Sequence, residues 1–307
     1  MPLVVTGSIG LDSIETPVQK SERILGGSCT YFAAAASFFG DVRIVGAVGG
    51  DFGPEYREQL KRFETICMEG LETRPNGKTF AWGGRYHENM NSRDTLFTNL
   101  GVLEEAPPKV PEKYKDSRFV FLANTHPKIQ LEFYEQFPKR RLTVADTMTL
   151  WINIAKDDLK QLISRIDGLM VNEEEAQLYT EKRHPISAGK ALLELGPKFV
   201  VIKRGEHGAV LVHREGIGLF PAFPTDQIID PTGCGDSFAG ALMARLSKLP
   251  ENESPWGLES LKDALCYATA VASLTIEDMG LKKLLSLKKS SIDQRVEEYM
   301  RMLPSRV

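Results

Sequence analysis

The sequence predicts an α/β fold in which helices cover both faces of a central, mostly parallel sheet. Short apolar runs alternate with helical patterns along most of the chain, as expected when helices connect parallel strands. The chain has 307 residues, 42% hydrophobic and 26% charged, which is an ordinary globular mixture with ample core. Two segments break the alternation and predict a second, smaller sheet. We therefore expect a single large domain, 1–307, that carries a small accessory sheet.

The predicted strands of the central sheet are short and almost wholly apolar, which is typical of strands buried on both faces. They occupy 3–7, 42–49, 118–124, 142–146, 167–172 and 198–205. Helical patterns follow these runs at 30–40, near 128–137, near 155–165, at 173–180, from 235 to 248 and at 257–275.

Two insertions, at about 12–25 and 77–102, predict the small sheet. Residues 77–88 and 94–102 have the pattern of two strands around the polar turn "NMNSR", and 12–25 has that of short extended pieces with a turn. Neither insertion has a place in the alternation of strands and helices. We expect them to form a sheet that stands off one edge of the core.

Composition narrows the classes of function. A formal net charge of −3 without a basic block argues against a nucleic-acid partner. No apolar run approaches the roughly 20 residues of a membrane span, and the start of the chain lacks the basic region of a signal peptide. The cysteines form no CxxC pair; they are Cys29, Cys67, Cys234 and Cys266. The plain expectation is a cytoplasmic protein with reduced thiols and no membrane partner.

The stretch "IIDPTGCGDSFAG", 228–240, is the strongest candidate for chemistry on phosphate. Gly233, Cys234 and Gly235 precede a helical pattern that begins near Asp236. A helix N-terminus presents unpaired N–H groups and partial positive charge, and glycines let a phosphate approach that backbone closely. Phosphoryl transfer needs such donors together with a carboxylate near the attacking hydroxyl. In isolation, an Asp in this turn could equally cap the helix.

The other glycine-rich segments do not fit phosphate-binding motifs. The Gly-Lys-Thr at 77–79 lacks the first glycine of a P-loop, because that position is Glu72. The Gly-Lys at 189–190 lacks the Ser or Thr that should follow. The glycines at 7–12 and 46–53 do not fit GxGxxG.

The segment "DPTGCGDSFAGAL" resembles the second signature of the ribokinase/PfkB-like carbohydrate kinases, usually Asp-Thr-x-Gly-Ala-Gly-Asp. Other segments resemble further landmarks of this family, and they occur in the family's order along nearly the whole chain. They are "GSIGLD" (7–12), "LGGSCTYFAAAASFFG" (25–40), "GAVGGDFG" (46–53), "NEEE" (172–175) and "VIKRGEHGAVL" (201–211). Each segment is weak evidence by itself, but the set in this order is highly specific.

The resemblance implies a ribokinase-like three-layer sandwich in which the two insertions form a β-sheet lid over the acceptor. It implies an ATP-dependent kinase that phosphorylates a hydroxymethyl group of a sugar or nucleoside. Some members pair two subunits through the lid, so a homodimer is one implied assembly, but lid strands packed on their own domain fit the sequence equally. The alternative function is a non-catalytic regulator that binds a sugar or nucleoside.

The resemblance also assigns roles to individual residues. Asp236 becomes the catalytic base, and the backbone amides of Gly233, Cys234 and Gly235 form the anion hole. Asn172 and Glu175 organise the phosphates and, through water, Mg²⁺. Without the resemblance, the same two residues could be an ordinary helix cap with an acidic first turn. The ATP-binding positions are Lys203, Gly205 and Gly208. The sugar-site positions are Asp12, Gly26 and Gly27. Asp230 matches the position that binds potassium in K⁺-activated members.

Four features depart from the family pattern. Pro231 occupies a position that is commonly Thr, and it removes one backbone donor from the turn. Tyr31 stands where members usually place an Asn that contacts sugar hydroxyls, so its ring either stacks on the acceptor or packs. Residues 145–151 either shape the acceptor site or belong to the core, and the core is favoured. Cys234 replaces the usual Ala, either as a small packed residue or as an oxidisable thiol beside the phosphate.

Overall fold

Two sheets and a set of flanking helices make up the chain, which the computed structural model describes over residues 1–303. The strands in chain order are β1 (Leu3–Thr6), β2 (Gly10–Glu15), β3 (Lys20–Gly26), β4 (Val42–Gly49), β5 (Ile66–Arg74), β6 (Ala81–Tyr86), β7 (Arg93–Asn99), β8 (Phe119–Leu122), β9 (Leu142–Asp146), β10 (Gly168–Asn172), β11 (Phe199–Lys203), β12 (Ala209–His213) and β13 (Gly216–Phe220). The helices are α1 (Ser28–Ser37), α2 (Pro54–Lys61), α3 (Pro127–Glu135), α4 (Thr149–Ile154), α5 (Lys156–Ile163), α6 (Glu173–Thr180), α7 (Pro185–Leu193), α8 (Cys234–Leu246), α9 (Leu258–Thr275), α10 (Lys282–Ser286) and α11 (Lys289–Met302).

The larger sheet has nine strands in the order β13-β12-β11-β10-β9-β8-β1-β4-β5. The strands from β5 to β11 in this order are parallel, whereas β12 and β13 run antiparallel to their neighbours. The short turn between β11 and β12 explains this change, because a parallel connection needs a crossover of a dozen or more residues. The prediction of a mostly parallel α/β sheet is confirmed.

Helices cover both faces of this sheet, which gives three layers. The side chains of β1 show the division, since Leu3 and Val5 enter one core cluster and Val4 enters the other. The first cluster includes residues of α1, α8, α9 and α11, and the second includes residues of α3, α5 and α7. Burying each such aliphatic side chain contributes about 1.5–3 kcal/mol, so both layers stabilise the sheet.

The smaller sheet has four strands in the order β3-β2-β6-β7. Strands β6 and β7 lie within the predicted insertion at 77–102, and β2 and β3 overlap the one at 12–25, extending beyond it by two residues and one residue. One face of this sheet packs on the segment after α9, where Ile14, Tyr86 and Met279 form a separate buried cluster. Strand β7 forms an edge, and each of its residues is exposed. The small sheet therefore stands on the larger body through an apolar contact, with β3 and β7 as its edge strands.

The carboxyl ends of the parallel strands meet at one edge of the large sheet, as they must when strands run in the same direction. Asp146, Asn172 and Lys203 are the last residues of β9, β10 and β11, so they reach this edge together. The strand order reverses at β1, because the chain first adds β4 and β5 on one side and later β8 on the other. Ligands of open α/β sheets bind at such a reversal.

None of the described helices combines the length and the apolar character that crossing a membrane requires.

Candidate active site

Helix α8 begins at Cys234, with Gly233 as its N-cap in a left-handed conformation (φ +74°). Gly233 has no side chain to bond the first N–H groups, and Asp236 lies inside the helix as its third residue rather than at the cap. Within residues 1–303, the N–H groups of Gly233 and Gly235 have no hydrogen-bond partner, while that of Cys234 makes a long bond of 3.3 Å to the Pro231 carbonyl. This turn therefore has free donors for an anion, with a carboxylate beside them.

Lys203 lies directly over this turn. A Cβ atom at Gly235 would come within 2.8 Å of the Lys203 Nζ, so the glycine makes room for the amine. The Lys203 charge opposes the effect of burial on Asp236, whose pKa is still raised above its usual value because desolvation dominates. The structure thus brings together three of the predicted elements: the acid, the glycine turn and the lysine.

Asp146 is a site residue that the sequence reasoning missed. It is buried, and its Oδ1 has no hydrogen-bond partner among the described residues. Burial and the charges of Asp236 and Glu175 raise its pKa well above the usual value, whereas Lys203 opposes this shift. An acid at the end of a buried strand, as in "LTVAD", was the available signal. Asp146, Asp236 and Glu175 concentrate negative charge beside the anion hole.

Asn172 and Glu175 form a capping box at the start of α6. The Glu175 N–H donates to Asn172 Oδ1 (2.7 Å), and the Asn172 N–H donates to Glu175 Oε2 (2.8 Å). Burial raises the Glu175 pKa, although Lys203 opposes the shift. The structure therefore shows the cap, and the same cap holds a buried carboxyl group close enough to Asp146 to affect its pKa.

Magnesium fits this cluster only in the way that Mg²⁺ commonly binds beside nucleotides. No group of three or more His, Cys, Asp or Glu side chains in residues 1–303 is arranged to hold a metal directly. Mg²⁺ usually keeps several waters and takes one or two carboxylates together with phosphate oxygens. The unpartnered Asp146 Oδ1 and the Glu175 carboxyl group provide oxygen donors of that kind.

The turn after β11 contains the other predicted nucleotide-binding positions. Gly205 and Gly208 both have positive φ, +55° and +80°, and a Cβ at Gly208 would overlap the Phe220 carbonyl. The tip of the small sheet reaches this turn, because Asn91 Nδ2 donates to Glu206 Oε1 at 2.8 Å. Two elements far apart in sequence thus meet beside the anion hole.

Asp12, Gly26 and Gly27 come together at the junction of the two sheets. The Gly27 N–H donates to Asp12 Oδ2 (3.3 Å), and a Cβ at Gly26 would lie 2.0 Å from that same oxygen. Asp12 Oδ1 is buried and has no partner among the described residues. Burial, together with the charges of Asp230 and Asp236, raises the Asp12 pKa to about 7. This oxygen is a free acceptor close to Asp236.

Tyr31 lies beneath the anion-hole turn. Its ring fills the space where a Cβ of Gly233 would be, at 2.3 Å, and the residue is 1% exposed. Its hydroxyl has no partner in residues 1–303, and burial with the charges of Asp230 and Asp12 raises its pKa well above the usual value. Of the two interpretations of Tyr31, this geometry favours packing of the ring over stacking on an acceptor.

Asp230 ties the anion-hole turn to the segment after α9. Its Oδ1 accepts from the Thr232 N–H and its Oδ2 from the Gly280 N–H, both at 2.9 Å. Burial raises its pKa. These bonds give Asp230 a structural role, and a potassium site at this position stays a prediction.

The Cys234 thiol points back into the protein. Its Sγ lies 3.9 Å from the Asp230 carbonyl oxygen. Burial and the charges of Asp230 and Asp236 raise the thiol pKa well above its usual value, which opposes the lowering that a helix N-terminus can produce. The structure favours the packing interpretation.

A free anion-binding helix start, a carboxylate at its mouth and a lysine over it define a site suited to phosphoryl transfer. The sequence model of the pfkB family of carbohydrate kinases matches residues 11–287. The chain therefore belongs to the pfkB family, and it is an ATP-dependent sugar or nucleoside kinase.

Known relatives agree with this assignment. The chain is similar to the cytidine kinase of Thermococcus kodakarensis, with 32% identity over 256 residues that cover 81% of this chain and 89% of the relative. The nucleoside kinase of Methanocaldococcus jannaschii shares the fold, with a TM-score of 0.78, 20% identity and coverage of 97% and 98% of the two chains. The aminoimidazole riboside kinase of Salmonella enterica, solved with aminoimidazole riboside and an ATP analogue, gives 0.76 at 18% identity, covering 96% and 100%. The ribokinase-like fold class is confirmed.

Proposed function

We propose that the chain phosphorylates the hydroxymethyl group of a nucleoside, with cytidine as the first candidate. The observation that carries the proposal is the position of Asp12, a buried carboxyl group with one free oxygen, close to the base Asp236. A ribose ring offers a diol to the first carboxylate while its hydroxymethyl group extends toward the second. The 32% identity to a cytidine kinase supports a nucleoside over a free sugar.

The chemistry follows from the side chains at the anion hole. Asp236 accepts the proton of the attacking hydroxyl as the new O–P bond forms and the bond from the γ-phosphorus to ADP breaks. The free N–H groups of Gly233 and Gly235 and the Lys203 amine stabilise charge on the transferred group. A non-catalytic regulator needs none of this arrangement, and no relative named above is one.

The small sheet acts in this proposal as a lid over the acceptor. It already contacts the turn before α8, where the Tyr86 and Thr232 hydroxyls are hydrogen-bonded (3.1 Å). It also contacts the turn after β11, where Asn91 bonds to Glu206. Closure of such an element excludes water and limits wasteful hydrolysis of ATP.

An ADP-release assay with ATP and Mg²⁺ tests the acceptor class. Cytidine, uridine, inosine, adenosine, ribose and fructose serve as acceptors, and Asp236→Asn is the inactive control. We expect the highest kcat/KM with a nucleoside and phosphate on its hydroxymethyl carbon by NMR. If a free sugar were the best acceptor, the nucleoside proposal would be refuted, but the assignment as a kinase would stand.

Glu175 gives a separate test of magnesium binding, because Mg²⁺ supplies charge neutralisation for the phosphates. We expect Glu175→Gln to raise the Mg²⁺ concentration for half-maximal rate. Glu174→Gln is the matched control, since Glu174 is an exposed neighbour in the same helical turn. Equal magnesium titrations for both variants would show that Glu175 serves only the cap.

Two further proposals concern potassium and assembly. Comparing rates in sodium, potassium and tetramethylammonium tests the cation predicted at Asp230, and equal rates would refute a cation site there.

A homodimer through the lid would use the edge strand β7, where Leu96 and Phe97 are 47% and 37% exposed. Sedimentation of the parent and of Leu96→Lys tests that interface, and identical monomers would exclude it.

A further inference from the structure

Arg93 starts β7, and its position on the small sheet aims it at the site. It is the register partner of Tyr86 on the antiparallel neighbour β6. Directly opposed residues of two paired strands project from the same face of the sheet. The Tyr86 side chain is buried against the body, and its hydroxyl meets Thr232 in the turn before α8. Arg93 therefore projects from the face of the small sheet that looks onto the anion hole.

The Arg93 side chain lies beside an aromatic ring, but the hydrogen-bond donors of its guanidinium have no partner among the described residues. The guanidinium lies 5.8 Å from the centre of the Trp82 ring, and Gly84 leaves the space that this ring occupies. Within residues 1–303, the Arg93 guanidinium makes no hydrogen bond and no ion pair. Arg85, on the opposite face of the same hairpin, instead pairs with Glu15 at 3.1 Å. Arg93 thus keeps a planar set of N–H donors available.

The charge of Arg93 is felt at the catalytic carboxyl groups. It lowers the pKa of Asp236 and of Glu175, against the larger raising effect of burial on both. The adjoining turn is fastened beside the nucleotide loop by the bond from Asn91 to Glu206. The electrostatic effect on both carboxyl groups places an unpaired cation near the base, and the Asn91 bond shows that the same element contacts the turn after β11.

We propose that Arg93 is a catalytic residue carried by the lid, whose guanidinium donates to the transferred phosphoryl group from the side opposite the anion hole. A guanidinium matches phosphate oxygens with parallel hydrogen bonds, and charge on those oxygens is what a kinase must stabilise. Because the small sheet carries Arg93, phosphoryl transfer is fast only when this sheet is closed. The inference rests on phosphoryl transfer, which the family establishes, and not on the identity of the acceptor.

Steady-state kinetics of Arg93→Ala, with Arg85→Ala as the matched control, test the role. We expect Arg93→Ala to lower kcat on the order of 10²-fold, as loss of one transition-state donor does, with the acceptor KM changed only a few-fold. Guanidine hydrochloride at millimolar concentration should restore part of the kcat of Arg93→Ala, and Arg85→Ala should behave like the parent. A purely structural role for Arg93 would instead raise KM, without rescue.

A binding measurement keeps the test independent of the acceptor. ADP with aluminium fluoride and Mg²⁺ mimics the transferred group, and calorimetry compares its affinity with that of ADP and Mg²⁺ alone. We expect Arg93→Ala to lose affinity for the fluoride complex on the order of 10²-fold and to bind ADP as the parent does. Equal affinity of Arg93→Ala and the parent for the fluoride complex, or an equal loss in Arg85→Ala, would overturn the proposal.

Discussion

At the scale of single residues, the candidate site contains carboxyl groups that burial makes more basic. Burial raises the pKa values of Asp236 and Asp146, the charge of Asp236 raises that of Asp146 further, and Lys203 limits the effect on both. A general base is most effective when its pKa approaches the working pH, so this environment suits Asp236 to take a proton. The same negative charge would attract a divalent cation that accompanies the nucleotide.

Asp236→Asn should keep ATP binding and lower turnover by at least ~10²-fold, because a neutral amide cannot accept the proton. The base must be ionised to act, so the rate should fall as pH decreases through its raised pKa, at a higher pH than an ordinary Asp would give. Asp226→Asn, at an exposed position in the loop before the turn, is the control. Turnover of Asp236→Asn within a few-fold of the parent would refute the assignment.

Cys234→Ala should be nearly as active as the parent, because the anion hole consists of backbone N–H groups. The raised thiol pKa further implies that iodoacetamide inactivates the parent no faster than Cys234→Ala. Mass spectrometry of both proteins, with the partly exposed Cys67 as the internal reference, checks which thiol reacts. Rapid inactivation of the parent that ATP prevents and Cys234→Ala resists would instead establish a reactive thiol.

At the scale of elements, helix α8 and the hairpin of β6 and β7 are far apart in sequence but adjacent in the fold, and we propose different roles for them. In the proposed mechanism, helix α8 supplies the anion hole and the base, and its residues from Ser237 to Ala244 are buried in the larger body. The hairpin of β6 and β7 is the proposed lid, and it contacts the body through Tyr86 and Asn91. A lid that is separate from the rigid anion-binding helix can open to exchange substrates and products, and it can close for phosphoryl transfer.

Replacing residues 81–99 by a short Gly/Ser loop should leave the nine-stranded sheet folded, because β6 and β7 belong only to the small sheet. We expect the acceptor KM to rise several-fold, and a larger share of the ATP consumed to end as free phosphate, since water then reaches the site. Val18→Ser, an exposed change in the turn between β2 and β3, is the control. An unchanged ratio of phosphate released to acceptor phosphorylated would show that the hairpin does not exclude water.

At the scale of the whole molecule, local patterns could predict the fold and only part of the site. Buried parallel strands such as β1 and β8 carry their own apolar signature, and the glycine turn with Asp236 carries its own chemistry. The edge strands β5 and β13 have mixed burial and no such signature, so the sequence did not indicate them. The end of a buried strand was a local signal for Asp146, but Arg93 matters only because the fold brings its strand to Asp236, and that juxtaposition has no local signal.

The buried carboxyl groups also give the whole molecule a pH-dependent stability. The groups whose pKa is raised are Asp12, Asp146, Glu175, Asp230 and Asp236. A raised folded-state pKa contributes stability that is complete below the unfolded-state value and is lost as pH rises through the folded-state value. The groups with lowered values, Asp51, Glu72 and Glu277, act in the opposite sense, but only below their ordinary range.

The unliganded chain should therefore melt at a lower temperature near neutral pH than at about pH 5. For Asp12, a shift from 3.8 to about 7 corresponds to a loss on the order of 4 kcal/mol over the whole range, of which about 2 kcal/mol falls between pH 5 and pH 7. Asp12→Asn should flatten the dependence, because the amide keeps an oxygen for the Gly27 N–H and does not ionise. Calorimetric melting of both proteins across that range measures the difference. A Tm that rises with pH in the parent, or slopes that are the same in both proteins, would show that Asp12 is hydrated in the folded state.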